Sequence, residues 1–266
     1  MIINIDILTA SASMFLPPQE AILLNGIVFG TSLPSHSAVY NEMKRIGISH
    51  IAVFSGANIA IMLQSMSGIR AYIGTRLYSL IAILFIVFIT FIVGIKAPVM
   101  RAAFFSLCTY VAILLQRKKS TLYVLLISLF ILLAYKPYWI GSVSFQLSYA
   151  ATVALVLFGR GNSSTNENPI VGYFSDEIRT STAALIGTTP LIFYYFKQIS
   201  LVVPLSNLAV SFTIPLLLPL GFFGSVVGIF SPTLSQPFFL VAHPLLFYIL
   251  SVADFLSQVP FASLYF

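Results

Sequence analysis

The run Tyr78–Ile95, YSLIAILFIVFITFIVGI, holds 18 residues without one charge. No other feature restricts the fold as strongly. A bilayer's hydrocarbon core is about 30 Å thick and takes about 20 apolar helical residues to cross. Only a helix or a closed barrel satisfies every backbone N–H and C=O where water is absent. The pattern recurs along the chain: Pro98–Leu115 follows a tight turn at Ile95–Pro98, Thr121–Tyr135 is shorter, and Tyr138–Phe158 and Phe238–Leu256 are full length. Asp176–Phe196 begins polar and becomes apolar. Charged residues make up 8% of the chain and hydrophobic residues 59%, against roughly 25% charged in a soluble domain. That is too little charge to solvate a folded surface of this size. The sequence therefore predicts an all-α, polytopic membrane helical bundle of about seven to ten segments, with no sizeable water-soluble domain.

Some segments are expected to be broken or re-entrant. Leu201–Phe230 runs 30 residues without charge and carries Pro204, Pro215 and Pro219. Each proline removes an amide donor and frees a carbonyl that protein or water must satisfy. The stretch reads as two passes, or as one broken helix plus one pass. Pro17–Gly30 and Ser49–Ser67 are apolar but richer in small and polar residues, which fits spans, re-entrant hairpins or interfacial helices. Gly159–Pro169 is the one markedly polar loop. With loops alternating sides, Arg70, Arg76, Arg117, Lys118, Lys119, Arg160 and Arg179 fall on one side and Lys96, Lys136 and Lys197 on the other. The positive-inside rule then puts Arg117–Lys119 in the cytoplasm. Lys44 and Arg45 break that pattern if Ser49–Ser67 crosses, which favours a re-entrant reading for that segment.

Soluble chemistry has few footholds. Cys108 is the lone cysteine, so there is no intrachain disulfide, thiolate zinc cluster or CxxC pair. HExxH, GxxxxGK[ST] and GxSxG are absent, as are paired carboxylates on one helix. His36, His50 and His243 are far apart in sequence, with no cysteine or neighbouring carboxylate to build a metal site. The expectation is a non-enzyme without cofactor or metal.

An ionisable side chain at membrane depth costs about 2.5–3.5 kcal/mol, so it faces a cavity or a partner. Glu20, His50, Arg101 and Asp254 qualify. Arg101 lies one turn into its helix, where snorkelling competes with a conduit role. Glu20 and Asp254 lie near segment ends, where interfacial solvation is the competing account. His50, Phe54 and Asn58 share a helical face by their spacing, with Ser55 and Gly56 beside it. That face fits close helix packing or a hydrated lining. Ser142, Gln146, Tyr149 and Thr152 form a second face, and a glutamine at depth needs partners for both its amide and its carbonyl. Asn207, between Pro204 and Pro215, is a third buried-amide candidate.

These segments, taken in order, resemble the membrane domain of the ComEC family, the inner-membrane DNA-uptake channel of naturally transformable bacteria. PPQEAILLNGIVFG resembles its opening amphipathic segment. GISHIAVFSGANIAIM resembles the histidine–SG signature at His50, Ser55 and Gly56, and KAPVMRAAFF the arginine–alanine helix start at Arg101 and Ala102. KPYWIGSVSFQLSYAA resembles the FQLS segment at Phe145, Gln146, Leu147 and Ser148. ALIGTTPLIFYYF and PLSNLAVSFTIPLLLPLG resemble the threonine–proline helix at Thr189 and Pro190 and the asparagine-bearing segment at Asn207 and Pro215. Many members carry a second histidine where Asn58 stands here. The resemblance runs from about Phe15 to the end, which divides the chain into residues 1–14 and a competence membrane domain at 15–266.

The resemblance implies a multi-pass inner-membrane subunit that passes single-stranded DNA into the cytoplasm. It implies His50, Ser55, Gly56, Asn58, Arg101, Gln146, Ser148 and Asn207 as lining or polar framework. The partners it implies are single-stranded DNA, the lipid bilayer, a DNA receptor, a cytoplasmic motor ATPase and a nuclease in trans, with a homo-oligomer as a further expectation. Full-length members also carry an OB-like and a metallo-β-lactamase-like domain, and neither fits within these residues. The expectation is a channel-only member or a piece of a longer protein. Two other classes fit the residues: a small-solute secondary transporter built on the proline-broken stretch, and a membrane scaffold whose amides only join helices.

Overall fold

The computed structural model describes residues 5–32, 34, 37–46, 48, 56–117, 120–159, 169–196, 198–200, 203–258 and 263–265. The all-α bundle expected from the hydropathy is what these residues form. In chain order the helices are α1 (Ile5–Phe15), α2 (Pro18–Phe29), α3 (Ala38–Arg45), α4 (Gly56–Ser65), α5 (Arg70–Val93) and α6 (Ala97–Leu114). They continue as α7 (Thr121–Tyr135), α8 (Val143–Phe158), α9 (Pro169–Phe196), α10 (Val203–Ser211), α11 (Ile214–Phe230) and α12 (Pro232–Ser257). Short 3₁₀ turns at Ser67–Ile69 and Pro137–Gly141 lead into α5 and α8.

Local sequence accounts for many of the boundaries. Pro18, Pro98, Pro215 and Pro232 each sit in the first turn of a helix, where a missing N–H costs nothing. Gly30 closes α2 in the left-handed conformation at φ 69° and donates its N–H to the Gly26 carbonyl at 3.0 Å. The Ser37 and Ser142 hydroxyls accept from the N–H groups of Tyr40 and Phe145, capping α3 and α8. Ser142 therefore stands before α8 as its cap, which removes it from the helical face proposed with Gln146, Tyr149 and Thr152.

Among the described residues, three helical stretches are long and apolar enough to cross a bilayer: the run Asn58–Val93 that ends in α5, then α6 and α12. A fourth span is available if α10 and α11 count as one, bent by 47° at the intervening break. That is the broken-helix form of the Leu201–Phe230 expectation. Shorter apolar helices α1, α7 and α8 complete the hydrophobic shell. The described part of the suspected re-entrant segment, α4, has 10 residues and so rises about 15 Å, half a hydrocarbon core.

The main core gathers residues of α1 to α6 and of α10 to α12. Leu23, Ile27, Val28, Met43, Ile86 and Ile89 are 0% exposed, as are Leu217 and Leu218. On α12, Phe239, Ala242, Leu246, Ile249 and Ala253 form a stripe that is also 0% exposed. Leu8 and Ala12 place α1 inside the same core. A second, smaller cluster joins Leu125 and Leu132 of α7 to Trp139, Phe145, Tyr149 and Ala97. One element departs from the all-α expectation. β1 (Gln198–Ser200) pairs antiparallel with β2 (Ser263–Tyr265), Ile199 opposite Leu264, because two short extended stretches outside the helices satisfy each other's backbone groups.

Candidate functional site: polar groups joining α6, α8 and α9

Arg101 lies in α6, about one turn after its start at Ala97. Its Nε donates to the Ser148 hydroxyl at 2.8 Å, and its guanidinium carbon stands 5.9 Å from the centre of the Tyr149 ring. Tyr149 is buried and its hydroxyl bonds the Ser128 hydroxyl of α7 at 2.9 Å. Among the described residues no carboxylate pairs with Arg101. The cation is held by a hydroxyl and a ring.

Gln146 satisfies both ends of its amide, as its depth demanded. Nε2 donates to the Ile140 carbonyl at 2.8 Å, and the Tyr195 hydroxyl of α9 donates to Oε1 at 2.9 Å. Tyr195 was not singled out from sequence; its place at the apolar end of Asp176–Phe196 was the available signal. α8 and α9 approach so closely that a Cβ on Gly187 would overlap the Ala154 methyl and stand 2.9 Å from the Ala150 carbonyl oxygen.

Above this cluster lies a cleft of about 370 Å³, walled by Lys96, Pro98, Tyr138, Trp139, Ser142 and Ser144. Lys96 donates to the Gly30 carbonyl at 2.8 Å, which ties the start of α6 to the end of α2. The Lys136 ammonium stands 5.2 Å from the Trp139 ring centre and 5.5 Å from that of Tyr135. Two lysines and three aromatic rings thus cluster at one end of α6, α7 and α8.

The remaining sequence candidates fall elsewhere. His50 and Ser55 lie outside the described residues, and Gly56 opens α4. Asn58 is buried, and its Nδ2 donates to the Ile27 carbonyl at 2.8 Å, joining α4 to α2. Asn207 sits on α10 with its Oδ1 buried and unbonded among the described residues, as is the Ser211 hydroxyl one turn later, just before the bend into α11.

Two expectations are corrected. Glu20 is not solvated at an interface but 4% exposed. His243 does have a carboxylate neighbour, since its Nδ1 lies 2.6 Å from Glu20 Oε2. The two are 223 residues apart, so only the docking of α2 on α12 brings them together. His243 could have been flagged from sequence, because it interrupts an otherwise apolar span near its middle.

The family model described as Competence protein matches residues 27–266. The ComE operon protein 3 of Bacillus subtilis (strain 168) is 26% identical over 230 residues, which cover 84% of this chain and 28% of that protein. An uncharacterized protein of Aquifex aeolicus (strain VF5) is 28% identical over 200 residues, covering 71% of this chain and 44% of that protein. The chain thus spans less than half the length of either relative. No solved structure matches it.

Proposed function

The chain belongs to the competence protein family, and from that premise we propose that it acts in DNA uptake as a multi-pass inner-membrane conduit for single-stranded DNA, without hydrolysing the strand itself. Arg101 carries the reading: a guanidinium within a candidate span, anchored by Ser148 and Tyr149 and paired with no carboxylate among the described residues. An unneutralised cation at that depth is costly unless an anion visits it, and a phosphate backbone is such an anion.

The cleft beside it supplies the second requirement of single-strand binding, aromatic faces next to positive charge. Lys96 and Lys136 offer charge to phosphate, while the exposed Tyr138 offers a surface on which a base stacks. Gln146 and Tyr195 set the spacing between α8 and α9, and Asn58 sets that between α4 and α2. Asn207, its oxygen buried without a partner among the described residues beside the α10–α11 bend, supplies an acceptor that a rearranged bend would expose. A DNA receptor, a motor ATPase and a nuclease would act as separate partners, and the conduit would be shared by more than one copy if it is oligomeric.

The decisive experiment complements a transformable host lacking its own channel gene with this chain and follows labelled DNA into the cytoplasm. Arg101→Ala should abolish uptake while membrane insertion stays normal, and Arg101→Lys should restore only part of it, because the Nε bond to Ser148 and the planar face over Tyr149 are lost. Normal uptake in Arg101→Ala would overturn the charged-conduit assignment.

A further inference from the structure

Apart from the Arg101 cluster, the bundle holds a second set of titratable groups outside the proposed conduit. Glu20, 4% exposed, meets His243 near the middle of the 26-residue α12, a candidate membrane span. His243 keeps 47% of its side chain exposed. A cavity of about 620 Å³ reaches Glu20 and continues along one face of α12 past Phe247, Ser251 and Asp254, with Glu42 of α3 on its opposite wall. His243, Phe247, Leu250, Ser251 and Asp254 follow helical spacing, so the cavity and the histidine share that face.

We propose that Glu20 and His243 form a proton-binding site inside the bundle, loaded and unloaded through the acidic cavity along α12. The step is a proton transfer alone. A hydronium in the cavity gives its proton to the pair and leaves water. A carboxylate beside a neutral imidazole, carrying one negative charge, becomes a carboxyl hydrogen-bonded to the imidazole, and the pair has no net charge.

A purely structural role accounts for less of the geometry. Apolar residues of the same shape hold two helices together at least as well as a buried ion pair does. They would not need a water-sized path leading to them. Glu42 and Asp254 concentrate cations at the mouth of that path, and burial together with the Asp254 charge pushes the Glu42 carboxyl above its ordinary range. Of the other elements around Glu20, α1 carries Asp6, α3 carries Tyr40 and, in its last turn, Lys44 and Arg45, and α4 and α11 carry no titratable side chain. An ionisable pair within a span is the usual form of a proton relay.

Two measurements on the full chain in lipid nanodiscs test this, and neither uses DNA, so they stand or fall apart from the conduit reading. The first is labelling by dicyclohexylcarbodiimide, mapped by peptide mass spectrometry. A protonated carboxyl adds its O–H across one N=C bond, and the adduct rearranges to a stable N-acylurea with nothing leaving. Glu20 should be labelled at least about fivefold more at pH ~5 than at pH ~8, and His243→Gln should raise the labelling at the higher pH. No Glu20 adduct at any pH, or a yield that neither pH nor His243→Gln alters, would overturn the site. The second uses Ser251→Cys with Cys108→Ser and a charged methanethiosulfonate, whose sulfur the thiolate attacks with release of sulfinate. Reaction at a rate near that of an exposed thiol supports a hydrated route, and failure to react shows a dry cavity and overturns it.

Discussion

The α11–α12 core and the α7–α9 flank are both apolar, yet they are built on different terms. On α12 a full stripe from Phe239 to Ala253 is excluded from the surface, and Phe239 stacks on Phe15 with ring centres 5.9 Å apart. On α7 only Leu125, Ser128 and Leu132 are buried, while Leu122, Tyr123, Leu126, Phe130 and Ile131 face outward. In lipid an outward leucine is already at home, so apolarity alone does not drive one helix onto another. The core relies on close fit and small residues. A Cβ on Gly221 would stand 2.7 Å from Val28 Cγ2, so α11 and α2 meet there with backbone nearly touching side chain. The flank adds hydrogen bonds to its close α8–α9 contact at Gly187: Arg101 to Ser148, Tyr149 to Ser128 and Tyr195 to Gln146. A bundle can therefore hold one region rigid by packing and leave another joined by a few polar links that can be remade.

That contrast orders the expected effects. Phe239→Ala should cost the most, about 3–5 kcal/mol, because a fully enclosed ring leaves a cavity the core cannot close. Denaturant unfolding of the purified protein in mixed micelles measures it, and a loss below about 1 kcal/mol would show that the core packs more loosely than its burial implies. Next comes Gly187→Leu in the flank, at about 1–3 kcal/mol, since the added atoms meet the α8 backbone at Ala150 and the helices must part. Spin-label distances between α8 and α9 should lengthen in that variant.

Breaking a polar link should cost less. A double-mutant cycle of Gln146→Leu and Tyr195→Phe should give a coupling of about 0.6 kcal/mol and no more than about 1.7 kcal/mol. A coupling as large as the loss at Phe239 would erase the distinction between the two regions.

The smallest effect concerns pH. The Glu42 carboxyl is pushed up in the fold by burial first and by the Asp254 charge second. Its protonated form therefore favours the folded state. That contribution is complete below the unfolded value, near pH ~4.3, and is lost as pH rises through the folded one. Glu42→Gln should accordingly be slightly more stable than the parent at neutral pH, with the gap closing on acidification. A gap that widens in acid would reverse the sign.

Much of the bundle was legible because hydropathy is a local property. The uncharged run Tyr78–Ile95, the turn before Pro98 and the break between Ser211 and Ile214 depend on composition, proline and glycine within a few residues. The site was legible only as a set of residue types. Gln146 declared that it needed partners but not that Ile140 and Tyr195 would supply them. Ser142 was assigned to the α8 face although its spacing served equally well for a cap.

The sequence by itself determined that this chain enters a membrane, that it is all-helical in the main, and which family it resembles, since solvation and motif order are written residue by residue. The tertiary structure alone decided that Arg101 stands on Ser148 and Tyr149, that Asn58 joins α4 to α2, and that Glu20 closes on His243. Helix faces that are equally apolar dock equally well in hydropathy terms, so register and crossing are set by shape and by which polar groups find each other. Those choices involve residues up to 223 positions apart, beyond the reach of any local pattern.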